Sequence, residues 1–130
     1  MSTTRFEPSD DLILVWASVW GPLGCVRCRL ALDTGSTDTI LDPGVLDDLG
    51  YSPRDAAGLS RVTSMLGEET GYRKRVQKFR ALGYESPDFE VRAHDMPESQ
   101  GLDGLLGLSF LRRFNYEVRS AEGLLVVSPA

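Results

Sequence analysis

Short apolar runs alternate along this chain with breaks rich in Gly, Pro and Asp, the pattern of strands joined by turns rather than of amphipathic helices. "LILVWASVW", residues 12–20, is dense in β-branched and aromatic residues and reads as a strand. "GPLG", 21–24, is turn chemistry, and "CVRCRLALD", 25–33, reads as the returning strand, so 12–33 forms a hairpin. "DTIL", 38–41, is a short strand, followed by the helix signals of "DPGVLDDLGY": Asp42 as N-cap, Pro43 at the first helical position and Gly50 as stop. Residues 52–60 form a polar loop. "SRVTSML" and "GYRKRVQKFRAL" flank "GEET", which predicts a long twisted hairpin with its tip near Gly67 to Gly71. "FEVRAHDM", 89–96, alternates as a strand; "GLDGLLGLSFLRRFNYEV", 101–118, is a Gly-punctuated apolar run leading into a short helix with Ser109 as N-cap. "YEVRSAEGLLVV" closes with two strands around a turn at Ala121 to Gly123. The expected class is all-β, as a small closed barrel with two short helices: residues 1–10 are a flexible polar lead-in and 11–130 a single domain.

Composition narrows the function. The 130 residues suit one domain, and the apolar (42%) and charged (25%) shares are those of an ordinary globular protein. Fourteen Lys and Arg against nineteen Asp and Glu give a net charge of −5, which argues against nucleic acid or an anionic membrane as partner. The basic run Arg73, Lys74, Arg75, Lys78 and Arg80 reads as a solvated strand face. No stretch nears the roughly 20 apolar residues of a membrane span, and "MSTTRFEPSDD" has no apolar signal core, so a cytoplasmic location is expected. Cys25 and Cys28 with a single His do not make up a zinc set, so no metal is expected; on a strand, residues three apart face opposite ways, which favours two reduced thiols.

The chemistry concentrates in "LALDTGSTDTIL", 30–41, where Asp33 ends an apolar strand. A carboxylate there is costly unless paired, hydrogen-bonded or used, and Thr34, Gly35 and Ser36 can all donate to it. Further on, "DGLLGLSFL", 103–111, places an apolar run, a glycine and a helix. Together with the hairpin between them, these motifs resemble the retropepsin-like aspartic proteases, single-domain relatives of pepsin, and most of all the cellular and bacterial members; the likeness runs from about Leu12 to Val127. The resemblance implies a homodimeric aspartic endopeptidase without metal or organic cofactor, acting on a peptide or protein substrate, with Asp33 from each chain facing one water. It assigns Thr34 to a hydrogen bond across the two-fold axis, Gly35 to the tight turn, and Ser36 to the outer carboxylate oxygen. Leu66, Gly67, Glu68 and Gly71 fall in the flap that closes on substrate, and Leu105, Leu106 and Gly107 pack under the catalytic loop. Since "DTG" occurs once, a two-carboxylate site needs a second chain.

The sequence departs from the viral members at one ion pair: an Arg after the glycine matching Gly107, and an Asp four residues after the catalytic one, are here Leu108 and Thr37, and an apolar contact is expected instead. The remaining features have plainer readings. Gly101, Gly104 and Gly107 have the wrong spacing and too little chain after them for a dinucleotide site. His94 reads as a surface strand residue, Trp16 and Trp20 as core or interface residues sharing a face, and Asp38, Asp42, Asp47 and Asp48 as capping or solvated acids. The alternative function is a catalytically silent dimeric module of the same fold that binds or scaffolds peptides; the intact Asp33 to Ser36 turn favours the enzyme.

Overall fold

The computed structural model describes residues 1–64, 67–97 and 101–130, with only the backbone considered for residues 62–64 and 67–69. Ten strands and two short helices follow one another: β1 Ser2–Arg5, β2 Leu14–Gly21, β3 Gly24–Leu32, β4 Ile40–Leu41, α1 Pro43–Asp48, β5 Gly58–Ser64, β6 Gly67–Ala81, β7 Tyr84–Ala93, β8 Gly104–Leu106, α2 Leu108–Leu111, β9 Phe114–Arg119 and β10 Leu124–Pro129. The larger sheet runs β2-β3-β8-β4-β7-β6, and β6 pairs back onto β2 through Ala17↔Ala81 to Trp20↔Lys78, so the sheet closes into a barrel. The strand β5 hangs outside that ring on the first half of β6, from Gly58↔Arg73 to Ser64↔Gly67. A second sheet, β1-β10-β9, lies beside the barrel.

Alternation decides what is buried. On β2, Val15, Ala17 and Val19 point inward and are 2% exposed or less, which turns Trp16 and Trp20 to the outside. The two tryptophans do share a face, but it is not the core: Trp16 lies under Arg27 at 4.3 Å and Arg29 at 5.5 Å, and Trp20 under Lys78 at 4.1 Å. The barrel is filled by Leu30, Val76, Phe79, Phe89, Val91 and Leu106, and Phe110 of α2 plugs it, with its ring 5.4 Å from Phe79 and 5.8 Å from Phe89 in edge-on contacts. Helix α1 starts and stops as its sequence predicts: the Asp42 carboxylate accepts from the Gly44 amide, and Gly50 takes φ +88°.

Three expectations are corrected. The first residues are not a free lead-in, because Ser2–Arg5 pairs with β10 from Ser2↔Val127 to Arg5↔Leu124, and Ser2 Oγ donates to Leu82 O at 2.7 Å. The free edge of β10 supplies the ladder that a polar tetrapeptide lacks by itself. Helix α2 begins at Leu108 with Gly107 before it, so Ser109 is inside the helix and its hydroxyl is used elsewhere. His94 is buried, 5% exposed. Both cysteines are free, with Cys25 exposed and Cys28 buried on opposite faces of β3. Burial, reinforced by the charge of Asp103, pushes the Cys28 thiol up to about 12. Among the described residues no helix is long and apolar enough to cross a membrane, and no three His, Cys, Asp or Glu side chains gather as metal ligands.

Candidate active site

Asp33 stands where β3 leaves the barrel. The last residues of β3 run parallel to β8, Leu30↔Gly104 to Leu32↔Leu106, and the Asp33 amide extends that ladder by one bond to Leu106 O at 2.9 Å. The chain then turns: Ser36 N donates to Asp33 O at 3.2 Å, and Gly35 N donates to the Asp33 carboxylate at 2.9 Å. A Cβ on residue 35 would sit 3.2 Å from that same carboxylate oxygen, so glycine lets the amide come close without crowding it. Thr34 is exposed beside the half-buried Asp33. Ser36 Oγ donates to Asp38 O at 2.8 Å, so within the single chain this hydroxyl braces the loop rather than the carboxylate.

Beneath the loop lies α2. Its leading amides donate upward, Leu108 N to Ser36 O at 2.8 Å and Ser109 N to Thr37 O at 2.9 Å, so the Asp33 loop satisfies donors that a helix start leaves open. The Ser109 hydroxyl accepts from Thr39 N at 3.0 Å and lies 2.9 Å from Thr39 Oγ1. Gly107 is packed so tightly that a Cβ would meet Asp38 O at 2.1 Å and Ser36 O at 2.8 Å. Of the three residues expected under the loop, Gly107 is there, Leu106 is fully buried in the core, and Leu105 points the other way into a pocket. That pocket, about 350 Å³, is lined by Asp33, Gly35, Ser36, Thr37, Asp38, Ile40, Arg61 and Leu105. The Asp33 carboxylate thus opens onto a cleft with polar and aliphatic walls.

The hairpin expected as the flap is β5–β6. Its strands pair from Gly58↔Arg73 to Ser64↔Gly67, so Gly67 and Glu68 lie at the start of β6, while Gly71 is further along the strand, opposite Ser60. Leu66 falls outside the described residues. Gly71 is required by packing and not by turning: a Cβ there would meet Ala93 O at 1.8 Å and the His94 ring at 2.8 Å. Sequence reasoning missed four residues near this cleft. Arg61 and Ile40 line it, and Arg92 Nε stands 3.2 Å from Asp38 Oδ2, a charge contact whose N–H is not aligned as a hydrogen bond. Ser60 accepts from Arg92 at 3.2 Å. Asp38 read as a solvated acid because its partner is 54 residues further on. The viral-type pair is indeed missing at Thr37 and Leu108, and a different pair, Asp38 with Arg92, stands beside the same loop.

A closed β-barrel that presents an Asp-Thr-Gly-Ser turn at the end of an interior strand, seated on a short helix, has the architecture of a single-domain acid protease. Comparison with known proteins agrees. Residues 18–110 match the family profile described as "Aspartyl protease", and the chain belongs to that family. The crystal structure of a retropepsin-like aspartic protease from Rickettsia conorii is similar over nearly the whole chain, with a TM-score of 0.70, 19% identity, and coverage of 97% of this chain and 96% of that one. The fold is therefore retropepsin-like. A direct sequence search found no match among curated proteins.

Proposed function

We propose that this protein is a homodimeric aspartic endopeptidase in which Asp33 of each chain acts on a shared water. The observation that carries the reading is the Asp33 carboxylate itself, held by the Gly35 amide at a strand end and open to a pocket, with one such turn per chain. Two carboxylates about 3 Å apart do not both ionise readily, so they share a proton. The ionised one takes a proton from water, and the protonated one polarises the scissile carbonyl. A two-fold axis through the loop supplies the second Asp33 and brings the exposed Thr34 of each chain toward its mate. No cofactor enters this chemistry. The β5–β6 hairpin serves as the flap, with Gly67 and Glu68 at the start of β6, and an extended peptide lies between it and the pocket floor of Ile40 and Leu105. The surroundings are cytoplasmic in this reading, in keeping with two free thiols.

The test is mass-spectrometric profiling of a complex peptide library at several acidities from about pH 4 to 7, with Asp33→Asn run in parallel. Cuts made by the parent and absent with the variant are expected, and they report the pocket's side-chain preference in the same data. A parent that is dimeric yet cleaves nothing would instead support a peptide-binding module.

A further inference from the structure

Arg92 links two parts of the molecule that backbone bonds leave separate. It projects from β7, and its guanidinium reaches Asp38 with Nε at 3.2 Å and Ser60 Oγ with Nη1 at 3.2 Å. Asp38 belongs to the catalytic loop: it lines the pocket beside Asp33, and its carbonyl accepts from Ser36 Oγ at 2.8 Å. Ser60 belongs to β5, the strand outside the closed barrel, and is 1% exposed. Ser60 Oγ accepts from Arg92 and also lies 3.0 Å from His94 Nε2, so Arg92, Ser60 and His94 form one chain of contacts. The buried His94 ring fills the space over Gly71, the cross-strand neighbour of Ser60. Guanidinium is suited to such a junction, since it donates to Ser60 through Nη1 while its permanent charge attracts the Asp38 carboxylate.

We propose that Arg92 is a positioning residue for substrate binding: by holding Asp38 and Ser60 at once it fixes the pocket wall against the base of the β5–β6 hairpin. This rests on the protease reading of the Asp33 site. It makes Asp38, Ser60 and Arg92 one unit, so their loss is felt in substrate affinity more than in turnover.

The test combines kinetics with amide hydrogen exchange on Arg92→Gln, Arg92→Lys, Asp38→Asn and the Asp38→Asn/Arg92→Gln double variant. With a peptide the parent cleaves, Arg92→Gln is expected to raise KM about tenfold with kcat within about twofold, and Arg92→Lys to fall between it and the parent. The double variant should be no worse than the worse single, as members of one network are not additive. Exchange in Arg92→Gln should speed by about tenfold in segments 36–40 and 58–61 and stay unchanged in 14–32. An unchanged KM, effects of the two singles that multiply, or exchange that is unaltered or accelerated everywhere alike would each overturn the proposal. A parent without cleavage would remove the protease reading, while the exchange pattern would still decide whether Arg92 ties the two segments together.

Discussion

The Asp33 loop and the β5–β6 hairpin both border the pocket, yet they are held in opposite ways. The loop is gripped by backbone: Asp33 to Leu106, Leu108 to Ser36, Ser109 to Thr37, with Gly107 pressed beneath it and the fully buried Phe110 below. Among the described residues the β5 strand pairs with β6 alone, and its Ser60 side chain is bonded by Arg92. In the proposed protease, rigid support would suit a carboxylate whose position sets a proton transfer, and a singly paired strand would suit a segment that opens to admit a peptide. The difference assigns precision to one wall of the pocket and adaptability to the other.

The contrast is sharpest between two apolar side chains. Truncating Phe110→Ala removes the plug beneath the loop and should cost about 3–5 kcal/mol of stability, while Leu59→Ala on β5, where the side chain is 73% exposed, should change stability by less than about 0.5 kcal/mol. Denaturant midpoints measured side by side check both, and comparable losses would erase the distinction. A smaller effect attaches to Ser109→Ala, which leaves Thr39 N without the hydroxyl it donates to at 3.0 Å; a loss of about 1 kcal/mol is expected, read from the same urea curves.

Alkali probes the buried thiol of β3. Burial raises the Cys28 thiol from the ordinary 9.0 to about 12 in the folded chain. A group with a raised folded value contributes its full stability below the unfolded value and loses it as pH climbs through the folded one. Stability should therefore decline between pH 9 and about 12, and Cys28→Ala should flatten that decline. A thiol reagent at neutral pH should label the exposed Cys25 quickly and Cys28 only on unfolding, a difference measurable by intact mass.

The same contrast explains what could be seen in the sequence. Alternation and turn residues displayed β2, β3, β9, β10 and helix α1, because each rests on neighbours close along the chain. Asp33 was visible as an acid ending an apolar strand, with Gly35 and Gly107 as the close-packed residues around it. Strand β7 begins at Tyr84, ahead of the alternation at 89–96, and includes Pro87; β4 joins β7 at Arg92 and Ala93, so the stretch around Pro87 needs no ladder donor on that side. Strand β1 was hidden because its partner lies at the other end of the chain. Arg92 and Ser60 escaped notice, and His94 read as a surface residue, for the same reason: their contacts with Asp38 and with each other join distant segments, and no local pattern marks them.

The central claim is that two copies of Asp33 complete one active site, and mixing tests it directly. Parent chain and Asp33→Asn chain are combined in equal amounts, allowed to exchange subunits, and assayed at constant total protein on a peptide the parent cleaves. If each site needs one carboxylate from each chain, only parent–parent pairs work, and activity falls to about a quarter of that of the pure parent. Activity of about half would mean that each chain carries a complete site, and would contradict the account.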